Sequence, residues 1–90
     1  MRLDLFLVSS RLIKRRSLAQ EFCEKGLVLV NGHEAKSSKE VKPGDTLAIT
    51  RRSEVSNIRV IKVPDTKQVS KATAPSLFEV LSVEKKAEED

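Results

Sequence analysis

The first residues of the chain carry apolar side chains at the spacing of one helix face. Leu3, Phe6 and Leu7 stand at positions i, i+3 and i+4, which meet on the same side of an α-helix. This spacing predicts a short helix over residues 2–8. Two serines follow it, and serine is suited to ending a helix because its hydroxyl hydrogen-bonds to the nearby backbone.

A second helix is predicted over residues 17–25. Ser17 and Gln20 match the capping-box pattern, in which each side chain satisfies a free backbone donor of the first turn. Gly26 follows the last turn, at the position where glycine commonly ends a helix. One side of this helix carries four apolar residues, namely Leu18, Ala19, Phe22 and Cys23.

The middle of the chain predicts short strands joined by tight turns. Asn31 and Gly32 follow an apolar segment, and Asn-Gly is the preferred pair of a two-residue hairpin turn because both central residues need positive φ. Pro43 and Gly44 mark a second turn, in which proline presets φ and glycine supplies a positive one. The predicted strands cover residues 27–30, 33–36, 47–50 and 57–63.

The last third of the chain changes in composition. Residues 64–75 are mostly polar and contain two of the three prolines, so they predict a loose linker. The apolar cluster at residues 76–81 favours a helix over a strand, and the tail at 84–90 is expected to be mobile. The predicted organisation is therefore a folded domain over residues 1–63, a linker over 64–75 and an extension with an acidic tail over 76–90.

Composition limits the size of the core and the class of protein. The chain has 90 residues, no Trp, no Tyr and three Phe, so we expect one small domain with an aliphatic core and no large substrate pocket. Its one cysteine cannot form an intramolecular disulfide, which fits a reducing compartment. No apolar run approaches the roughly 18–20 residues of a membrane span, and Asp4 interrupts the N-terminal stretch that a secretory signal would need. A cytoplasmic protein without membrane contact is expected.

Positive charge is concentrated in the first two thirds of the chain. Residues 1–62 contain 13 Lys and Arg against 7 Asp and Glu, whereas residues 63–90 contain 4 against 6. This imbalance indicates a polyanionic partner, most often a nucleic acid. Five cations lie in the first 16 residues, where Asp4 is the one acidic residue: Arg2, Arg11, Lys14, Arg15 and Arg16.

The basic run before the second predicted helix is suited to binding phosphate. Guanidinium groups donate in a fork, and the free N–H groups of a helix start add fixed donors. The plainer alternative is a solvated basic turn. Phe6 and Phe22 lie on apolar helix faces and are expected in the core, so recognition should depend on the phosphate backbone and RNA shape rather than on base stacking.

Catalytic and metal-binding patterns are not found in the sequence. His33 has no second His and no Cys at metal-ligand spacing, and Cys23 lies on the apolar side of its helix, where a core residue is expected rather than a nucleophile. Asp4 has no partner acid or base, so an ion pair that orients Arg2 or a neighbouring arginine is preferred over catalysis. We therefore expect no enzyme activity, no metal and no cofactor.

Four segments stand in a fixed order along the first half of the chain: Met1–Asp4, Ser10–Ala19, Val28–Gly32 and Val41–Asp45. Together they resemble the RNA-binding domain named after ribosomal protein S4. The resemblance implies an α+β fold of the S4-like (alpha-L) type. Two main helices would pack on a small bent antiparallel sheet, followed by a short C-terminal extension.

Within this family, the short chain and its basic run most resemble the RqcP-like ribosome-quality-control factors of bacteria, which are related to the heat-shock ribosome-associated proteins. The resemblance implies binding to stalled large ribosomal subunits through ribosomal RNA and peptidyl-tRNA, as a monomer. It also implies a tailing partner of the RqcH/NEMF type, which adds C-terminal alanine to the nascent chain without a template. One alternative is a general rRNA-binding accessory in ribosome assembly or heat-shock subunit recycling. Another is an interaction module whose basic face meets an acidic protein.

The resemblance also assigns RNA-binding residues. Arg2, Arg11 and Arg16 occupy matching motif positions and would be the main contacts, with Asp4 orienting them. Further residues are added from their charge and position. The full predicted set is Arg2, Asp4, Arg11, Lys14, Arg15, Arg16, Ser17, Lys36, Ser38 and Lys39.

The sequence departs from its relatives at several apolar positions. Leu5 and Val8 stand where relatives commonly carry lysine, and the strand at residues 27–30 is apolar on both faces. Such positions need a cover, because exposed apolar surface is unfavourable in water. We expect the C-terminal extension to supply it through Leu77, Phe78 and Leu81.

Overall fold

The structure is a computed structural model that describes residues 1–65 and 69–85. In chain order its elements are helix α1 (Leu3–Ser9), helix α2 (Arg16–Glu24), strands β1 (Val28–Val30), β2 (His33–Glu34), β3 (Thr46–Arg51) and β4 (Glu54–Val60), a 3-10 helix (Ala74–Leu77) and strand β5 (Phe78–Lys85). The strands form one antiparallel sheet in the order β2-β1-β3-β4-β5. The predicted α+β arrangement of two helices with an antiparallel sheet is confirmed.

Helix α1 forms where the apolar spacing predicts it. Leu3, Phe6 and Leu7 are each fully buried, so the face predicted from their spacing is the face that packs on the core. Ser10 follows the helix as its C-cap residue, and its backbone N–H donates to the Phe6 carbonyl oxygen at 2.9 Å.

Helix α2 is confirmed within one residue at each end, but its start is built differently from the prediction. Arg15 is the N-cap residue, no side chain caps the helix, and Ser17 lies inside the first turn. The predicted Ser17–Gln20 capping box is therefore wrong. Gln20 instead donates through Nε2 to Asp4 Oδ2 at 2.9 Å, because a buried carboxylate needs donors more than a backbone amide that water can reach.

The hairpin turn at Asn31 and Gly32 is confirmed, since their φ angles of 51° and 84° are both positive. The return strand β2 is shorter than predicted and covers His33–Glu34 rather than residues 33–36. After Glu34 the chain leaves the sheet, and the following loop forms backbone hydrogen bonds with the start of helix α1. The backbone N–H of Leu3 donates to the Lys39 carbonyl oxygen at 2.7 Å.

The strand predicted over residues 57–63 is displaced, because β4 covers Glu54–Val60. Arg51 pairs with Glu54, so Arg52 and Ser53 form a two-residue turn between β3 and β4. Arg52 has a φ of 51°, which glycine or asparagine usually supplies in such a turn. Because neither residue is present, no local signal marked this turn in the sequence.

The C-terminal extension forms a strand, so the helix favoured for residues 76–81 is wrong. β5 pairs antiparallel with β4, from Glu54 opposite Lys85 to Val60 opposite Phe78. Pairing with β4 determines this conformation, because it satisfies the backbone hydrogen bonds of a segment whose local propensity is weak. The expected mobile tail is wrong for residues 84 and 85, which belong to β5, and residues 86–90 lie outside the described part. The division of the chain at residues 63 and 75 stays a prediction.

The core is aliphatic around Phe6, as composition indicates, and draws on both helices, three strands and the 3-10 helix. Leu77 is 1% exposed, and Phe78 packs against the buried cluster. Leu81 is 41% exposed, so its expected covering role is wrong. The pairing register passes from Ser82 to Val80, which leaves Leu81 as the extra residue of a bulge.

Loss of the C-terminal extension is expected to lower the free energy of unfolding, because Leu77 leaves the core and β4 loses a pairing partner. Leu77→Ala alone should cost about 2–3 kcal/mol, which lowers Tm by at least about 8 °C in a domain of this size. The matched control is Leu81→Ala, the same truncation at an exposed site, which should change stability by less than about 0.5 kcal/mol. Thermal unfolding followed by circular dichroism measures both. Equal Tm values for Leu77→Ala and Leu81→Ala would contradict the prediction.

Candidate nucleic-acid interface

A buried carboxylate joins the first turns of the two helices. Asp4 is fully buried, and its Oδ1 accepts hydrogen bonds from Arg2 Nε at 3.2 Å and from the Leu5 backbone N–H at 2.8 Å. Its Oδ2 accepts from Arg16 Nε at 3.2 Å, Gln20 Nε2 at 2.9 Å and Arg2 Nη2 at 3.3 Å. We call Arg2, Asp4, Arg16 and Gln20 the Asp4 network.

A helix end places each charged member of the Asp4 network. Arg2 precedes α1, Asp4 lies in its first turn, and Arg16 is the first residue of α2. A carboxylate in a first turn is favourable because it meets free N–H groups and the positive end of the helix dipole. Packing of α1 on α2 then brings Arg16 and Gln20 to the same carboxylate across 12 and 16 residues of sequence.

Asp4 stays ionised at neutral pH. Burial raises the pKa of its carboxyl, but hydrogen bonds from Gln20, Arg16 and Arg2 lower it by more, and the balance lies below the ordinary value of 3.8. One negative charge therefore faces two guanidinium groups. The Asp4 network as a whole keeps a net positive charge.

The two arginines of the network reach solvent, since both side chains are 44% exposed. Arg16 contacts Asp4 through Nε, which leaves its terminal Nη groups for an external acceptor. A guanidinium held in one orientation is suited to phosphate, whose oxygens match the fork of donors. The expected ion pairs from Asp4 to Arg2 and Arg16 are present, whereas the expectation that Asp4 also orients Arg11 is wrong, because Arg11 donates to the Val69 carbonyl oxygen instead. RNA binding by these residues stays a prediction.

The predicted residues of the loop after β2 lie beside the network. Lys36 and Ser38 line a cleft of about 480 Å³ together with Arg2. Lys36 and Ser38 also line a second cleft, together with Lys39. The loop is tied to α1 because the backbone N–H of Asp4 donates to the Ser37 carbonyl oxygen at 3.1 Å. The fold therefore places these two lysines and a serine near Arg2.

The cleft beside Arg2 also contains Glu24, Glu34 and the thiol of Cys23, so its charge is mixed. Burial raises the pKa of the Cys23 thiol, and the negative charges of Asp4 and Glu24 raise it further. The thiol is therefore protonated at neutral pH and a poor nucleophile. This agrees with the expectation of a structural cysteine.

Lys14, Arg15 and Ser17 line a cleft at the start of α2. Gln20 of the Asp4 network lines the same cleft, so the cleft adjoins that network. Glu21 and Glu24 also line it, so its charge is mixed, although Glu21 pairs with Lys25 at 3.5 Å.

Arg11 is separated from the Asp4 network. Its φ is 62°, and its Nη2 donates to the Val69 carbonyl oxygen at 3.4 Å. It lines a groove with Lys14, with Arg51 at the end of β3 and with Arg52 of the β3–β4 turn. The sequence prediction missed Arg51 and Arg52, because a pair of arginines far from the basic run carries no signal until the fold places it there.

Across residues 1–65 and 69–85, no three His, Cys, Asp or Glu residues are grouped as a metal site would require. In that same part of the chain, no helix has the length and apolar character needed to cross a membrane.

Residues 1–47, which include both helices of the Asp4 network, match the S4 domain. The chain belongs to the S4 domain family. The fold expected from that resemblance, two helices with an antiparallel sheet, is confirmed.

Relatives within the S4 family match most of the chain. The "RQC P-site tRNA stabilizing factor" of Bacillus subtilis is 42% identical over 88 residues, which is 98% of this chain and 100% of that protein. The protein of the same name from Helicobacter pylori is 44% identical over 69 residues, or 77% of this chain and 82% of that one. A trimeric structure of Heat Shock Protein 15 from Vibrio cholerae has a TM-score of 0.82 and 32% identity, covering 91% of this chain and 82% of that chain.

Proposed function

We propose that this S4 domain protein is an RNA-binding factor of ribosome-associated quality control. It binds large ribosomal subunits that still carry a stalled nascent chain, through ribosomal RNA and peptidyl-tRNA. The observation that carries the proposal is the Asp4 network, in which one buried carboxylate braces two half-exposed arginines. The proposal is supported by relatives named for stabilising a P-site tRNA in this pathway.

In the proposed complex, Arg2 and Arg16 make the main phosphate contacts. Asp4 is a positioning residue, because its buried carboxylate is enclosed by its donors. Holding the guanidinium groups in place before binding lowers the conformational entropy lost when RNA arrives. The remaining contacts come from residues at the α2 start and on the loop after β2: Lys14, Arg15, Ser17, Lys36, Ser38 and Lys39.

Arg11 extends this surface to a second side of α2, where Lys14 connects the two clefts. Contact with ribosomal RNA and tRNA at the same time raises the effective concentration of each, which slows release of the tRNA. A tailing factor of the RqcH/NEMF type can then add alanine to the nascent chain. The protein itself performs no covalent chemistry in this scheme and acts in the cytoplasm, where the ribosomes are.

A second candidate function is a general rRNA-binding accessory in ribosome assembly or heat-shock subunit recycling. The 32% identity to Heat Shock Protein 15 from Vibrio cholerae favours it. The two functions differ in the state of the subunit that is bound. A quality-control factor selects subunits that hold tRNA, whereas an accessory binds empty ones equally well.

Sedimentation of the tagged protein from cell extract tests the proposal. We expect it to travel with large subunits that carry tRNA and unfinished polypeptide, and to leave that fraction after puromycin has accepted the nascent peptide and the deacylated tRNA has dissociated. Equal binding to empty subunits would favour the accessory function. Associations that survive nuclease treatment would contradict RNA binding and indicate an acidic protein as the partner.

A further inference from the structure

A groove separate from the Asp4 network lies between the α1–α2 connection, one side of α2 and the β3–β4 turn. Its volume is about 380 Å³, and no Asp or Glu of the described residues lines it. We call it the Arg52 groove. Four cationic side chains surround it: Arg11, Lys14, Arg51 and Arg52.

The Arg52 groove also has an apolar floor. Leu12, Leu18 and Phe22 line it, and Leu18 is 38% exposed. Leu12 and Phe22 are half-buried, with one side packed on the core. Phe22, which its place on the apolar helix face predicts in the core, therefore leaves part of its side chain at the groove, where it can contact a base. A surface that binds phosphates alone needs no apolar floor, since phosphate oxygens require donors and charge. The combination therefore indicates a ligand with an anionic part and a flat or apolar part.

Backbone strain is concentrated at the same groove. Non-glycine residues with positive φ are Arg11, Asn31 and Arg52 in the described chain. Asn31 occupies a turn position that asparagine favours, but arginine gains nothing locally from the left-handed region. Such strain is found most often at functional sites, where the position of the side chain outweighs the energetic cost of a strained backbone.

We propose that the Arg52 groove binds one unpaired nucleotide of RNA, with its base on the apolar floor and its flanking phosphates on the four cations. This inference rests on the proposed function, since it names the form of RNA that binds to the Arg52 groove, the second side of the proposed RNA-binding surface. A base within a duplex is stacked on both faces and cannot enter, so a bulged or looped-out nucleotide is required. RNA is favoured over an acidic peptide because Lys14 lines both this groove and the cleft at the start of α2, which the proposed function already assigns to RNA.

Two RNA hairpins of equal length test the inference, one fully paired and one with a single bulged uridine. Wild-type protein should bind the bulged hairpin at least about 5-fold more tightly, the lower end for one base packed on a protein surface. Leu18→Gln keeps a good helix former but removes apolar floor, so it should abolish this preference and make the affinities for the two hairpins equal.

Arg52→Gly separates the role of the side chain from that of the fold. Glycine accepts the positive φ without strain, so Tm should not fall, whereas affinity for the bulged hairpin should drop at least about 5-fold. Lys62→Gln is the matched control, because it also removes one cation from an exposed position outside the groove. It should bind both hairpins as the wild type does.

The outcomes distinguish this inference from the proposed function. Wild-type protein that binds neither hairpin would overturn both. Tight binding of both hairpins without preference, or a preference that survives Leu18→Gln, would overturn the nucleotide site alone. A poly-glutamate peptide gives one further outcome. If Arg52→Gly bound RNA as the wild type does but no longer bound a poly-glutamate peptide that the wild type binds, the nucleotide site would also be overturned, because the groove would then be a protein-docking surface.

Discussion

Replacing Arg2 and Arg16 together with alanine is expected to remove most of the affinity for large ribosomal subunits. Each arginine should contribute about 1–3 kcal/mol, the range for a charged and partly desolvated hydrogen-bonded contact. Each single variant should therefore bind about 5- to 150-fold more weakly. Direct binding to purified subunits carrying tRNA measures the effect.

Salt dependence gives this prediction a second measurement. If about five phosphates are neutralised, log K should fall against log salt with a slope of about −3.5 to −4.5. Loss of two phosphate contacts should reduce the magnitude of that slope by about 1.4–1.8. A variant that had merely lost folded protein would show lower capacity at an unchanged slope.

Two further variants complete the comparison. Arg16→Lys keeps the charge but not the planar fork, so its affinity should fall between those of wild type and Arg16→Ala. Arg59→Ala removes an exposed arginine of β4 that faces Glu79 at 3.9 Å, and it should bind as the wild type does. Wild-type affinity in the Arg2 and Arg16 variants would mean that RNA meets another face.

Asp4→Asn is expected to have the largest effect on stability of any single polar substitution in the network. Asparagine keeps the size of the side chain but loses the negative charge to which two guanidinium groups and Gln20 donate hydrogen bonds. Removing one partner of a buried ion pair costs about 3–5 kcal/mol. The lower end, about 3 kcal/mol, is expected because both arginines are half-exposed and regain water. Urea unfolding measures it.

The same substitution should change how stability depends on pH. The pKa of Asp4 is lower in the folded state than its ordinary value of 3.8, so its contribution is fully present above that value. It is lost as the pH falls through the folded-state pKa. Wild-type stability should therefore decline in acid below about pH 4, and Asp4→Asn should show a smaller decline.

A matched control for the carboxylate is Asp65→Asn, at an exposed position. It should leave stability within about 0.5 kcal/mol of the wild type. Asp4→Asn should also weaken subunit binding while Arg2 and Arg16 are both present, because their guanidinium groups lose their fixed orientation. Wild-type stability and affinity in Asp4→Asn would show that the network neither braces the fold nor positions the arginines.

Features that depend on nearby residues were predictable. The spacing of Leu3, Phe6 and Leu7 is enough to place α1, because helix periodicity acts over three or four residues. Asn31 and Gly32 define their turn by the φ angles they tolerate. The basic run and Asp4 were recognised as one candidate site, because charge and family motif coincide within 16 residues.

Features that depend on distant partners were missed. Local patterns assign Gln20 to a helix cap, because they do not take into account a carboxylate that lies 16 residues away in the sequence. Local spacing favours a helix for the segment that forms β5, whereas pairing with β4, from Val60 opposite Phe78 onward, determines its conformation. Arg51 and Arg52 line a groove with Arg11, and no local pattern in the sequence indicates that these residues lie near one another.

Residues close together in the chain are enough to indicate two helices, an Asn-Gly hairpin, an S4-type motif and a basic N-terminal segment. Packing shows which cations lie together: Arg2 and Arg16 meet at Asp4, whereas Arg11, Lys14, Arg51 and Arg52 line one groove. The difference is one of range, because propensity and turn chemistry act between neighbours in the chain. A buried charge and a strand edge are satisfied by whichever groups the packing brings near.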